Sequence, residues 1–251
     1  YQRINQNKQD IDMLYLISDI HGELHDFKKL LKKIMFDREK DNLIIMGDIF
    51  DRGPDGIRLL EFITPFLLDH SMELLLGNHE LFAIMFIKGM LDERTWTRFG
   101  GGGTLKEIKK MNLDARKRLL DFLEKLPYYA EVSSRFFGNI VVTHTGIDCN
   151  NYVMNRDGTI NVKKSIEKAI HNNQYNFMIG TDLHQIPDVD KEKFDEYLIV
   201  GHVPCNRLNV DMSNKFYRTD YYMCIDAGAG YKEHGGNLAC YCVTTDKEIY
   251  L

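Results

Sequence analysis

The chain has 251 residues, 44% hydrophobic and 27% charged, a globular balance in a length that suits one large domain or two small ones. That composition excludes a disordered, collagen-like or coiled-coil chain. The net charge of −5, from 32 basic and 37 acidic residues, argues against a general nucleic-acid binder. The longest apolar run, 81–87, has seven residues, far short of the roughly 20 that span a bilayer. No membrane partner is expected, and the start carries no signal-peptide pattern. The five cysteines form no CxxC pair. They predict buried or half-buried free thiols and a cytoplasmic location, not a disulfide framework or a cysteine zinc site.

In chain order, the Ile/Leu/Val-rich run 13–17 reads as a buried strand. An amphipathic helix follows at 24–36, with Leu24, Phe27, Leu30, Leu31, Ile34 and Met35 on one face. A strand at 43–46 leads to a helix at 55–68, which Pro65 must kink or end. A third strand at 74–76 precedes helical patterns at 81–90, 104–111 and 114–126. The run Gly100–Gly103 lacks a following Lys-Ser/Thr, so it reads as a turn between helices and not a phosphate-binding loop. Strands at 140–142, 198–200 and 223–225 and helices at 162–171 and 190–196 complete the pattern. The alternation predicts an α/β layered fold. With no linker or repeat, residues 13–251 read as a single domain behind an N-terminal extension, 1–12.

Five strands end in polar residues with glycine alongside. These endings are Ser18-Asp19-Ile20-His21-Gly22, Gly47-Asp48-Ile49-Phe50-Asp51-Arg52-Gly53, Gly77-Asn78-His79-Glu80, His144-Thr145-Gly146 and Gly201-His202-Val203-Pro204. Catalytic groups in α/β folds gather beyond the carboxyl ends of strands. Taken alone, an Asp after a strand is a helix cap and a buried His is a core residue. In combination, Asp19, His21, Asp48, Asn78, His144 and His202 offer six donors, too many for one catalytic ion and suited to two that share a carboxylate. Imidazole and carboxylate without thiolate suit manganese first, with iron or zinc as alternatives.

This ordered set resembles the phosphoprotein-phosphatase branch of the calcineurin-like metallophosphoesterases, in the style of the compact bacterial and bacteriophage lambda enzymes. The resemblance spans almost the whole chain after residue 12. It implies a four-layer sandwich of two mixed β-sheets flanked by helices, with 226–228 and 236–238 as a closing strand pair. It also implies that Asp19 and His21 hold the first metal, that Asp48 bridges, and that Asn78, His144 and His202 hold the second. His79 would protonate the leaving oxygen, oriented by Asp51, while Arg52 and Asn78 bind the phosphoryl group. Attack would come from a hydroxide bridging the metals. Thr145 and Val203 depart from the family pattern beside retained ligands. Glu80 is expected to support its loop, and Tyr231 resembles a tyrosine at the lip of some relatives' sites.

The expected activity is hydrolysis of phosphomonoesters, foremost protein phosphoserine and phosphothreonine. The alternative is hydrolysis of dinucleoside polyphosphates such as bis(5'-nucleosyl) tetraphosphates. Symmetrically cleaving members of that neighbouring group often lack the aspartate at the position of Asp51, which weighs against them. A non-catalytic module is disfavoured because every ligand is kept. His25, His70, His171, His184 and His234 match no ligand motif and are expected at the surface. Cys205 is expected to be an inert thiol. No arginine stands in the family's second phosphate-binding setting: Arg156 lies in an Asn-Arg-Asp-Gly turn, leaving Arg207, Arg218 and Arg98 as candidates to assist Arg52. The oligomeric state is not readable from the sequence.

Overall fold

The computed structural model describes residues 12–180 and 183–251, so the extension expected at 1–12 lies, apart from Asp12, outside the described residues. Asp12 already packs on the domain, its amide donating to the Lys40 carbonyl at 3.0 Å.

Among the described residues ten strands form two mixed five-stranded sheets. They are β1 (Leu14–Ile17), β2 (Asn42–Ile45), β3 (Met72–Leu74), β4 (Tyr129–Ser134), β5 (Gly138–Thr143), β6 (Tyr197–Val200), β7 (Tyr217–Arg218), β8 (Tyr222–Cys224), β9 (Ala239–Cys242) and β10 (Lys247–Tyr250). The first sheet runs β10-β9-β1-β2-β3 and the second β4-β5-β6-β8-β7. Each sheet contains a parallel triplet: β1-β2-β3, with Leu16 opposite Ile44, which reaches the edge of the first sheet, and β5-β6-β8, with Val142 opposite Ile199, at the centre of the second. Successive side chains point to opposite faces. Leu16, Ile44 and Tyr241 of one sheet therefore cluster with Val142, Ile199 and Met223 of the other. The alternate residues Ile17, Leu43, Ile45, Leu198 and Val200 join a second cluster with the helices. Central strands buried on both faces explain why they read as continuous apolar runs.

The flanking helices are α1 (Leu24–Lys33), α2 (Gly56–Leu68), α3 (Asn78–Ile87), α4 (Glu93–Arg98), α5 (Gly102–Lys110), α6 (Leu113–Leu123), α7 (Val162–Gly180) and α8 (Asp188–Lys191). Pro65 stands in the last turn of α2, which ends at Leu68. The Gly100–Gly103 run does turn between helices, α4 and α5. Among the described residues no helix is long and apolar enough to cross a membrane.

Several boundaries move for local reasons. The third strand ends at Leu74 because the Leu76 amide leaves the sheet for the Pro127 carbonyl (2.8 Å). The helix expected at 190–196 stops at Lys191, since Lys193 and Asp195 turn to pair with the backbone of Ile160. Helix α7 runs past 171 to Gly180; Asn173 interrupts it and its side chain caps the second segment through the Asn176 amide (3.0 Å). The expected closing strand pair is a loop joined by one bridge, Gly228 to Asn237. The strands beside it, β8 and β9, belong to different sheets. All five cysteines are free and four are buried, but Cys149 is exposed, against expectation. His184 is half-buried, its Nδ1 at 2.7 Å from the Tyr222 hydroxyl.

Glu73 sits in the edge strand β3, and burial pushes its carboxyl from 4.5 up to about 7. The folded state then holds a proton that the unfolded chain has lost, so stability falls as pH rises between those values. Glu73→Gln is expected to raise stability by about 1–3 kcal/mol at pH 8 and much less at pH 5. Denaturant unfolding of both proteins at the two pH values measures this; equal gains would contradict it.

Candidate metal centre and active site

The predicted donors converge at the carboxyl ends of β1, β2, β3, β5 and β6. The chain must turn sharply there, and it does so through left-handed backbone. Asp19 (φ 54°), His21 (48°), Asp48 (54°), Asp51 (67°), Arg52 (64°) and His202 (70°) all have positive φ. Such residues carry strain of about 1–3 kcal/mol each, which persists where the surrounding structure over-determines it. Gly77 allows the β2 and β3 loops to touch: a Cβ there would fall 2.3 Å from the Asp48 amide nitrogen. Glu80, wholly buried, clamps these loops as expected. Its carboxylate accepts from the amides of Gly77 (2.9 Å), Asp48 (2.7 Å), Ile49 (2.9 Å) and Phe50 (3.2 Å).

Asp48 stands between two groups of imidazoles. Its Oδ2 lies 3.7 Å from His21 Nε2, 3.9 Å from His79 Nε2 and 3.3 Å from His144 Nε2. His21, Asp48 and His79 form one cluster that could hold a cation, and Asp48, His144 and His202 form another. The other predicted donors border them. Asp19 Oδ1, buried and without a hydrogen-bond partner, stands 3.7 Å from His21 Nε2. Asn78 Oδ1 lies 2.9 Å from His144 Nε2 and 2.8 Å from His202 Nδ1. The structure thus brings all six predicted donors together.

Hydrogen bonds at the far side of the rings aim the lone pairs. His21 Nδ1–H donates to the Phe50 carbonyl and His144 Nδ1–H to the Met46 carbonyl, both at 2.8 Å, leaving each Nε2 turned toward Asp48. Metal-ligating histidines are oriented in this way. Burial, followed by Arg52, holds His21 well below its usual value, and burial with His144 lowers His202 to about 3. Both rings are neutral, as a ligand requires. At His144 burial is outweighed by Asp48, which raises the imidazole to about 10. The Asp48 carboxylate calls for a positive charge here, which a cation or a proton on His144 can supply. Together with the orphaned oxygen of Asp19, this donor set fits divalent cations.

Beside these clusters lies a second chain of contacts. His79 Nδ1 is 2.7 Å from Asp51 Oδ2, and the same oxygen accepts from Trp96 Nε1 at 2.7 Å. Thr104 Oγ1 accepts from the Asp51 amide at 3.1 Å. Burial would lower His79, but Asp48 and then the hydrogen-bonded Asp51 raise it, so it keeps a proton to higher pH. Arg52 spans the rim, with Nη1 2.6 Å from His21 Nε2 and Nη2 3.3 Å from His79 Nε2.

The sequence profile of the calcineurin-like phosphoesterases matches residues 13–235. The chain belongs to the calcineurin-like phosphoesterase family. It is 32% identical over 136 residues to a symmetrical bis(5'-nucleosyl)-tetraphosphatase from Nitrosospira multiformis, covering 53% of the chain and 43% of the relative. It is 40% identical over 81 residues to the enzyme of the same name from Buchnera aphidicola subsp. Schizaphis graminum, covering 32% and 29%. The chain thus spans less than half the length of these curated relatives. A protein serine/threonine phosphatase from Saccharomyces cerevisiae shares the fold, with a TM-score of 0.63 at 15% identity, covering 95% of the chain and 74% of that protein.

For a calcineurin-like phosphoesterase, two residues here went unread in the sequence. Trp96 and Thr104 flank the glycine run, and their spacing around it was the only signal. Arg207 stacks toward the Tyr231 ring, which also lies under Arg52, so Tyr231 does stand at the rim. Of the other candidate arginines, Arg218 is committed to Asp246 (2.9 Å) and Arg98 is exposed at the end of α4. Arg156 is exposed in its turn, closed by the Gly158 amide donating to the Asn155 carbonyl (3.2 Å). Cys205 is buried and its thiol donates to the Cys224 carbonyl (3.2 Å).

Proposed function

We propose that this chain is a dinuclear metal-dependent phosphoesterase acting on dinucleoside polyphosphates. The observation that carries the chemistry is Asp48, one carboxylate facing two imidazole clusters. The substrate class rests on the names of the curated relatives, which favour the second of the two expected substrates. Asp19, His21 and Asp48 would hold one cation, and Asp48, Asn78, His144 and His202 the other. When bound, two divalent cations, manganese foremost, supply an acidified water and positive charge against the phosphoryl group.

The chain's own residues do the rest. Arg52 offers a planar fork to phosphoryl oxygens, and Asn78 adds an amide at the same rim. His79 holds a proton on Nε2 for the leaving oxygen, and Asp51 fixes its tautomer from Nδ1. Trp96 and Thr104 fix Asp51 in turn. The burial of this relay keeps water from competing for the proton.

A second reading, phosphoserine or phosphothreonine hydrolysis, is favoured by that same relay. An alkoxide leaving group depends on that proton more than a nucleotide phosphate, which is the better leaving group. Assaying diadenosine tetraphosphate beside a phosphothreonine peptide, with manganese, separates the two. The proposal expects the higher kcat/KM on the dinucleotide; the reverse order would replace it with the second reading.

Arg52→Ala is expected to lower kcat/KM by about 10²–10³-fold, the usual effect of losing one preorganised donor to transition-state charge. Arg156→Ala should change it by less than about threefold, as for an exposed turn residue away from special features. Comparable losses in two folded, metal-loaded variants would place Arg156 in the site.

A further inference from the structure

The loop between β8 and β9 lies directly on the metal centre. A Cβ on Gly230 would fall 2.6 Å from His21 Cδ2 and 2.7 Å from Arg52 Cδ. The loop is held from several sides. Lys232 pairs with Glu23 and, at 2.6 Å, with Asp26. Asn214 Nδ2 donates to the Gly235 carbonyl (2.9 Å), and the Gly228 amide donates to Asp226 Oδ1 (2.8 Å). Tyr231 is therefore a fixed platform at the rim.

Two guanidinium groups share that platform. The Arg52 Cζ lies 4.3 Å and the Arg207 Cζ 5.5 Å from the centre of the Tyr231 ring. Arg207 is exposed, yet its backbone is anchored: it ends the short 3₁₀ turn Cys205–Arg207, whose Cys205 amide donates to the Asp226 carbonyl (2.8 Å). Among the described residues no carboxylate lies within ion-pairing distance of either guanidinium. Of the nearby acidic side chains, Glu23 and Asp26 are engaged by Lys232 and Glu233 lies beside His234, while the buried Asp226, whose Oδ2 has no hydrogen-bond partner, acts on Arg52 only through space. A cation–π contact at an exposed site is a weak tie. Two like charges around one ring repel. An oxyanion placed there would remove the repulsion and take charge-assisted hydrogen bonds from both forks.

We propose that Arg207, with Tyr231 and Arg52, forms a second anion subsite beside the metal centre, for phosphates further along a polyphosphate chain. Arg52 reaches His21 and His79 with one face of its fork, so it would meet the scissile phosphoryl group. Arg207, across the ring, would meet a neighbouring phosphate linked to it. This deepens the dinucleoside polyphosphate reading and rests on it, since a phosphopeptide carries no such continuous charge.

The test is calorimetric binding of inorganic orthophosphate and inorganic tripolyphosphate to manganese-saturated protein, which needs no turnover. Chelation of free metal by each anion is the same for every variant and cancels in the ratio. Arg207→Ala should weaken tripolyphosphate binding by about tenfold or more, the loss of one charge-assisted contact. Orthophosphate binding should weaken far less, and Arg207→Lys should recover part of the difference. Arg207→Gln, which keeps most of the stem, checks that lost packing is not the cause. Equal factors for the two anions, including no change in either, overturn the subsite. If the wild type cleaves the phosphopeptide and not diadenosine tetraphosphate, the substrate reading falls, while the tripolyphosphate ratio still reports on Arg207.

Discussion

Asp48→Asn is expected to lose both cations at once. Its carboxylate faces His21, with Asp19 beside it, on one side and the His144/His202 pair on the other, so no other single substitution should reach both. The amide that replaces it keeps a hydrogen-bond acceptor for the His79 amide, which Asp48 Oδ1 now accepts at 2.9 Å, so the loop should survive. What goes is the negative charge that raises His144 and that two cations would share. Affinity for metal should fall by more than about 10²-fold, the upper end of what even an outer partner of a ligand costs. Metal analysis after dialysis measures occupancy directly. A second readout is thermal: manganese at 100 times its dissociation constant should stabilise the wild type by about 2.7 kcal/mol and leave the variant nearly unmoved. Full occupancy of two ions in Asp48→Asn would remove the bridging role.

His79→Asn should bind metal at or near the wild-type level and still lose about 10²–10⁴-fold in turnover on alkyl phosphates, the usual contribution of a general acid. His79 is tied to Asp51 through Nδ1 at 2.7 Å, which leaves Nε2 as the atom that meets the leaving oxygen. The loss should shrink on aryl phosphates, whose leaving groups depart without a proton. The pH profile gives an independent sign. The neighbouring carboxylates outweigh burial and raise His79, so the acid form persists above the ordinary imidazole range. Wild-type turnover of alkyl phosphates should fall as pH passes that raised value, and His79→Asn should lack this fall. Equal losses on alkyl and aryl substrates would falsify the acid role.

These two substitutions concern residues that the sequence alone already placed in order along the chain. A strand of the central sheet is an apolar run of four or five residues, and the turn that ends it follows at once. Ser18 to Gly22, Gly47 to Gly53 and Gly77 to Glu80 could therefore be read locally, because each motif occupies a few consecutive positions whose period is 2 or whose glycines mark the turn. The same locality explains why α1 and α2 were legible and why β7, with two residues, was not.

The relay behind His79 and the cradle beside it were decided only by the tertiary structure. Trp96 reaches Asp51 across 45 positions, and Glu80 gathers amides from 30 to 32 positions upstream. Arg207 and Arg52 meet over a ring carried by a third loop. The family resemblance implies a strand pair at 226–228 and 236–238, yet β8 and β9 part into separate sheets on either side of them. Local periodicity states which face of an element is buried. It does not state which distant element covers that face, because the choice of partner depends on the packing of the whole chain.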